Sequence, residues 1–473
     1  MNNDPKYEIG MVGLGVMGRN LLLNMADHGY SVAGYDVDTT KVEALRSEAE
    51  HRDIKGAESL AEFASMLRSP RAVMMLVPAG PPVDAVIKDL LSHLSPGDLI
   101  MDGGNSHFRD TDLRLKTLAE KSILYMGVGI SGGESGARHG PSIMPGGPKK
   151  AYERVRPVLE AVAAKAKGEP CVTYLGGGSA GHYVKMVHNG IEYGLLELIA
   201  ETYDLMRRGL GLSDNEMHAV YDTWNRSELN SYLIEITADI FCKVDEQATG
   251  KRLVDSILDE AKQKGTGKWT SQDAMELQVP VPTMDMAVSM RDLSGYKSER
   301  EAASRVLRGP EPEMHEGRAA FLRQLKQAVF AAMVITYAQG MALLLKASHA
   351  YGYELNLEAV ARIWRAGCII RAGLLEDIRE AYRVEPALPN LLAHAKLGGE
   401  VADRQEALRE VVKRAVQSGI PAPGLAVSLS YFDGYRSGWL PANLIQAQRD
   451  YFGAHTYERI DAKGVFHTQW ENK

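Results

Sequence analysis

Residues 8–36 read EIGMVGLGVMGRNLLLNMADHGYSVAGYD. The stretch starts as a short apolar run, breaks at Gly13-Leu14-Gly15-Val16-Met17-Gly18, continues with helical periodicity and ends in a second apolar run at Asp36. Glycines in a G-x-G-x-x-G spacing between a strand and a helix do three jobs. The first permits a tight turn, the second lets a pyrophosphate approach the backbone, and the third lets helix and strand pack closely. The helix N-terminus then faces the phosphates. Gly13, Leu14, Gly15, Val16, Met17 and Gly18 are therefore expected to line a dinucleotide, and Asp36 to meet its adenosine ribose.

Working outward, further apolar runs occur at 72–77 (AVMMLV), 98–104 (DLIMDGG), 123–129 (ILYMGVG), 141–147 (PSIMPGG) and 171–176 (CVTYLG). Helical patterns lie between them, among them 17–28, 39–49 and 82–94. Strands alternating with helices predict a mainly parallel sheet covered on both faces, an α/β Rossmann-type domain over residues 1–179. From residue 180 to 439 the texture changes to long helical periodicities, including 252–261 and an unbroken pattern from 357 to 382, which predicts a large all-α domain. Residues 440–473 are polar, aromatic and broken by glycines, an extended C-terminal tail expected to lie on another surface.

With 473 residues, 45% of them hydrophobic and 24% charged, the chain has room for two or three domains. Sixty-one acidic against 54 basic residues argue against a nucleic-acid binder that relies on bulk positive charge. Three scattered cysteines form neither a disulfide framework nor a metal motif, and the histidines show no dense ligand set, so no metal is expected. The start, MNNDPKYEIG, lacks the basic and apolar pattern of a signal peptide, and a cytoplasmic location is expected. Residues 328–345 carry no charge, but Gln339 interrupts them and charged helical sequence flanks them. A helix buried inside the α domain is the expected reading, and no membrane is implied.

The segment 181–194, GHYVKMVHNGIEYG, sets His182, Lys185, Asn189 and Glu192 on one helical face, with Tyr193 beside them. A lysine whose pKa is lowered by burial can take a hydroxyl proton, and a carboxyl group can return one. The same spacing also describes a solvated face with incidental ion pairs. Asn105 in DGGN follows an apolar run, where ligands commonly bind. SGG at 131–133 offers a hydroxyl and open backbone N–H groups. KGTGKWT at 264–270 fails as a nucleotide-triphosphate loop, because residue 262 is lysine where glycine is required. Asp36 can accept both ribose hydroxyls but would face a 2′-phosphate with like charge, so NAD is expected over NADP, with Lys41 the one cation in reach.

GLGVMGRN, DGGN, SGGESGARHGPSIMPGG, SAGHYVKMVHNGIEYG, KGTGKWT, RAGCIIRA and LIQAQRDYFGAHTYERID together resemble the long form of decarboxylating 6-phosphogluconate dehydrogenase, along essentially the whole chain. The resemblance implies oxidation of the C3 hydroxyl of 6-phosphogluconate, loss of carbon dioxide and protonation of the resulting enediol to ribulose 5-phosphate. It implies Lys185 as general base and Glu192 as the acid. It implies Asn105, Ser131, Gly132, Gly133, His188 and Asn189 around the sugar acid and nicotinamide, and Tyr193, Lys264, Thr266 and Arg291 around the phosphate. It further implies a homodimer with exchanged tails, each donating Arg449 and His455 to the partner's phosphate site. Two departures from the family pattern stand out. Asp36-Val37-Asp38 replaces Asn-Arg-Ser/Thr, and Val77-Pro78-Ala79-Gly80 replaces V-K-A-G. Both remove cations near the cofactor and support the expected preference for NAD, with NADP the weaker alternative. The competing readings are a β-hydroxyacid dehydrogenase of the 3-hydroxyisobutyrate type, which lacks so large a helical extension, and a non-catalytic nucleotide-binding scaffold.

Overall fold

The computed structural model describes residues 6–247, 250–314 and 317–470. Strands β1 (Ile9–Val12), β2 (Val32–Tyr35), β3 (Ile54–Gly56), β4 (Ala72–Met75), β5 (Leu99–Asp102), β6 (Leu124–Ser131) and β7 (Ser142–Gly146) form one sheet in the order β3-β2-β1-β4-β5-β6-β7. β7 is antiparallel to β6 and every other pairing is parallel. Helices α1 (Val16–Asp27), α2 (Thr39–Glu48), α3 (Leu60–Met66), α4 (Pro81–Leu91), α5 (Phe108–Ala119), α6 (Gly133–His139) and α7 (Lys149–Val162) connect the strands or follow the last of them. Alternate strand residues serve opposite faces. Met11, Met74, Met101 and Met126 pack with Leu21, Leu22 and Leu159, whereas Val12, Met75, Ile100 and Tyr125 pack with Phe63, Val83 and Leu118. The N-terminal unit is thus a Rossmann-like α/β domain. Its β3 and α3 escaped sequence reading because IKG and LAEFASM are too short to show a period. Residues 171–176 form no strand: Val172 makes a single bridge to Ile143. A short hairpin, β8 (Lys165–Ala166) and β9 (Glu169–Pro170), precedes them.

The second unit is helical. Helix α8 (Ala180–Asp204) leads, followed by α9 (Asp214–Asn225), α10 (Tyr232–Ile240), α11 (Thr266–Glu276), α12 (Pro282–Ser294) and α13 (Lys297–Ser304). Then come α14 (Arg318–Tyr351), α15 (Leu357–Ile363), α16 (Leu374–Val384), α17 (Ala395–Gln417) and α18 (Pro423–Arg436). α14 is long and apolar enough to cross a membrane, but 89% of its most apolar 18-residue window is buried inside the protein. Gln339, inside that apolar window, accepts from Thr283 N (3.1 Å) and donates to Thr283 Oγ1 (3.0 Å). The amide is therefore satisfied inside the core, where an unpaired one would cost about 1–3 kcal/mol. Two expected helices are cut short. Residues 252–261 keep only a 3₁₀ turn, Leu253–Ser256. The pattern from 357 to 382 breaks into α15 and α16, because Gly367 sits at φ +67° and the loop around it turns back onto the sheet. There Gly367 O accepts from Ser142 N (2.7 Å).

The tail holds α19 (Ala442–Gly453) and a hairpin, β10 (Tyr457–Glu458) with β11 (Val465–Phe466). It has a small polar centre of its own. The buried Asp450 carboxylate accepts from Thr456 N, His467 Nδ1, Thr468 N and Trp470 Nε1 at 2.8–3.0 Å. Leu444, Ile445, Phe452, Ile460 and Val465 meanwhile stay exposed.

Candidate active site

The nucleotide turn is built as its glycines require. Gly13 has φ +95°, and a Cβ there would stand 2.4 Å from Leu76 O. A Cβ on Gly18 would stand 1.9 Å from Gly13 O, so α1 seats directly on the turn. At Gly15, the N-cap of α1, no atom lies within 4 Å of the Cβ position, which leaves room for a pyrophosphate. Leu14 is buried, Val16 is half exposed and Met17 packs on the core. Across the turn, Val77 is partly covered and Pro78 and Ala79 are exposed. This cradle fits a dinucleotide.

Asp36 differs from expectation. It is buried, and its carboxylate already has partners: Oδ2 accepts from Leu14 N (2.7 Å), and Oδ1 accepts from Asp38 N (2.9 Å) and faces Lys41 Nζ (3.5 Å). Asp38 in turn caps α2 through Thr40 N and lies 3.7 Å from the same ammonium. The carboxylate that was expected to repel a 2′-phosphate is thus offset where it stands, and the half-exposed Lys41 is the cation at that edge.

α8 reaches the sheet through missing side chains. A Cβ on Gly129 of β6 would lie 2.4 Å from Lys185 Cβ, and one on Gly181 would lie 2.3 Å from Gly127 O. The glycines of MGVG therefore let the lysine-bearing turn lie against the strand that ends in Ser131. Lys185 Nζ donates to Asn189 Oδ1 (2.6 Å), which also faces His188 Nδ1 (3.0 Å). Because a carbonyl oxygen only accepts, His188 carries its proton on Nδ1. Nε2 is then the acceptor for the Ser131 hydroxyl (3.3 Å). Asn189 Nδ2 donates to Thr266 Oγ1 (3.0 Å) at the start of α11. A Cβ on Gly267 would stand 2.3 Å from the Tyr193 ring, and the Arg291 guanidinium lies 3.5 Å from that ring's centre.

Burial drives the electrostatics. It lowers the Lys185 pKa below the ordinary lysine value, against the pull of Glu192 and Cys368. It raises the Glu192 pKa, against Lys185 and Arg291. Burial, reinforced by the Lys185 charge, pushes His188 far down, so its imidazole is neutral. Burial thus shifts Lys185 toward its neutral form and Glu192 toward its protonated form, the directions that a base and an acid require.

The fold brings together Lys185, His188, Asn189, Glu192, Tyr193, Ser131, Thr266 and Arg291. Gly132 and Gly133 follow Ser131 at φ +121° and +63°, and Gly132 abuts Gly367 O. Asn105 is exposed just beyond β5, and Lys264 is exposed just before α11. Arg449 and His455 stay apart. Arg449 donates to Gln446 (3.2 Å) and His455 packs edge-on against Phe452, both within the tail. Among the described residues no hydrogen bond or ion pair joins either to the α8 cluster. Sequence reading missed Trp364, whose ring meets His188 edge-on, and Cys368, whose Sγ donates to Trp364 O (3.0 Å). RAGCIIRA, residues 365–372, was a signal for Cys368, but its turn looked helical, and Trp364 lies one residue before it.

A glycine turn that fits a dinucleotide, and a buried lysine and carboxyl group on α8 packed against the same sheet, give the class: the build of a dinucleotide-dependent dehydrogenase. Residues 8–176 match the NAD binding domain of 6-phosphogluconate dehydrogenase, and residues 181–470 match the 6-phosphogluconate dehydrogenase C-terminal domain. The chain belongs to the 6-phosphogluconate dehydrogenase family. It is 51% identical over 466 residues, 98% of this chain and 99% of the other, to the NADP(+)-dependent, decarboxylating 6-phosphogluconate dehydrogenase of Bacillus subtilis. It is 52% identical over 466 residues, again 98% and 99%, to the decarboxylating enzyme of Synechococcus elongatus. A solved Plasmodium falciparum 6-phosphogluconate dehydrogenase, described with NADP+ and with 6-phosphogluconate, superposes with a TM-score of 0.93 at 42% identity, covering 98% of this chain and 100% of that one. These relatives overturn the expected preference for NAD. The reasoning failed physically at Asp36, taken as a free acceptor when two backbone N–H groups and Lys41 already engage it.

Proposed function

We propose that the protein oxidises and decarboxylates 6-phosphogluconate to ribulose 5-phosphate and carbon dioxide with NADP as hydride acceptor. The observation that carries the reading is the buried Lys185, held on Asn189 Oδ1 at 2.6 Å with its pKa lowered by burial. Gly13, Leu14, Gly15, Val16, Met17 and Gly18 would hold the pyrophosphate, with Val77, Pro78 and Ala79 across the turn. Lys41 would meet the 2′-phosphate. When bound, the nicotinamide supplies the site that accepts hydride from C3.

Neutral Lys185 takes the proton of the C3 hydroxyl as that hydride leaves. The product is a β-keto acid. Its C1–C2 bond breaks to release carbon dioxide, and the bonding pair moves toward the C3 carbonyl to give an enediol. The Lys185 ammonium now faces the developing enolate oxygen and stabilises it. Glu192, whose pKa burial raises, gives its proton to the enediol carbon that lost the carboxylate. Ser131, His188 and Asn189 hold the sugar acid, with Asn105 between substrate and nicotinamide and the Gly132 and Gly133 backbone beside them. Tyr193, Lys264, Thr266 and Arg291 surround the phosphate, where charged donors bind strongly. We further propose a cytoplasmic homodimer in which Arg449 and His455 of each tail complete the other subunit's phosphate site. The exposed apolar side chains of α19 and the hairpin favour such docking.

The test follows NADP reduction, carbon dioxide release and ribulose 5-phosphate formation with purified protein and 6-phosphogluconate. Equal amounts of all three support the assignment. No turnover of 6-phosphogluconate by folded protein refutes it.

A further inference from the structure

Arg114 stands on α5, away from the residues that touch substrate or nucleotide in the proposed reaction. Its side chain is 7% exposed, yet it engages two separate stretches of chain, 80–84 and 102–106. Nε donates to Asp84 Oδ1 (2.7 Å) in the first turn of α4. Nη2 donates to Gly80 O (3.2 Å), the last residue of the loop that carries Val77, Pro78 and Ala79. Nη1 donates to Ser106 Oγ (3.3 Å) and lies 3.7 Å from Asp102 Oδ2.

Asp102 extends the connection. Its fully buried carboxylate accepts from Gly104 N (3.0 Å), Ser106 Oγ (2.5 Å) and Tyr125 Oη (3.0 Å). Asn105 therefore sits between two residues tied to one carboxylate. The Asp102 carbonyl accepts from His182 Nε2 (3.0 Å), one turn before Lys185 on α8. His182 Nδ1 then accepts from Thr111 Oγ1 (2.7 Å), one turn before Arg114 on α5. The nucleotide-side loop, the Asn105 loop and the lysine helix thus converge on a single buried Arg–Asp pair.

We infer that Arg114 is a positioning residue that sets the spacing of the 77–80 loop against the 103–106 loop, and so of nicotinamide against substrate. This rests on the dehydrogenase function proposed above. Only a planar guanidinium can meet a carboxylate, a carbonyl and a hydroxyl lying in different directions. An ammonium on a flexible stem supplies the charge without the fork. Transfer between two bound reactants needs their reacting atoms about 3–3.5 Å apart, and a displacement of about 1 Å costs roughly 100-fold in rate.

The experiment compares unmodified enzyme, Arg114→Met, Arg114→Lys and Asp84→Asn. It measures kcat and KM with 6-phosphogluconate and NADP, the isotope effect with substrate deuterated at C3, and the thermal melting of each protein. Arg114→Met should lose about 100-fold in kcat/KM per folded molecule, mostly in kcat, with a raised isotope effect as hydride transfer becomes limiting. Arg114→Lys should fail to restore the rate, whereas recovery with lysine would mean that charge alone matters and would overturn the assignment. A folded Arg114→Met with native kcat and isotope effect also overturns it. Should Arg114→Met not fold, Asp84→Asn carries the test, because Asp84 is 61% exposed and only one of the four contacts changes. That variant should fall about 3- to 10-fold in kcat with the isotope effect raised, and unchanged kinetics would refute the role. Turnover by unmodified enzyme is read separately, so failure of the proposed reaction is distinguishable from failure of the positioning role.

Discussion

Replacing Lys185 by methionine should make the protein slower and more stable at once. The side chain is buried against β6, and methionine keeps most of the apolar stem while deleting the ammonium. Asn189 Oδ1 is not orphaned, since His188 Nδ1 still donates to it at 3.0 Å. If base catalysis contributes 10²–10⁴-fold, kcat/KM should fall by at least that factor, about 3–5 kcal/mol in the barrier. The stability sign follows from the lowered pKa. Between the folded value and the unfolded 10.5 the unfolded chain binds more protons, so this lysine's contribution to stability rises with pH through that window. Below the window the full cost of charging a buried group is present. Lys185→Met should therefore melt higher than the unmodified protein at neutral pH, and the difference should narrow as pH approaches 10.5. The assays are NADP reduction with 6-phosphogluconate and calorimetric melting across pH. A folded variant with near-normal kcat/KM would refute the base. A variant that melts lower at neutral pH would refute the account of burial.

Glu192→Gln should lower kcat about 100-fold and flatten the limb of the pH–rate profile that requires a protonated acid; an unchanged profile would remove Glu192 from the acid role. Lys41→Ala should cut kcat/KM for NADP by about 10- to 100-fold, the worth of a charge-assisted hydrogen bond, while NAD turnover changes little. Equal losses with both cofactors would mean that Lys41 does not meet the 2′-phosphate. Mixing inactive Lys185→Met with inactive Arg449→Ala should restore partial activity, since some mixed dimers hold one site free of both lesions. No recovery, under conditions where mass spectrometry shows subunit exchange, would refute the donated tail.

The legible parts of the chain were those whose chemistry is local. G-x-G-x-x-G at Gly13–Gly18 implied a strand, a turn and a helix because the positive φ at Gly13, the open space at Gly15 and the close approach of Gly18 to Gly13 all belong to that one turn. The spacing of Lys185, Asn189 and Glu192 implied a shared face because helical periodicity needs no partner. The turn at Gly367 was read as helix because what bends it is long-range: Gly367 O accepts from Ser142 N, and Gly132 leaves no room for a side chain between them. Asp36 shows the same limit in electrostatics. A carboxylate after the second strand reads as a free acceptor for ribose, yet its availability depends on where the Leu14 N–H, the Asp38 N–H and Lys41 point. Asp102 is the sharpest instance. In DGGN it looked like the lead-in to Asn105, but its carboxylate and carbonyl gather donors from β6, α8 and its own loop, with Arg114 of α5 beside them. Motif spacing names the groups that do chemistry. The groups that hold them at working distance come from remote parts of the chain, and only packing brings them together.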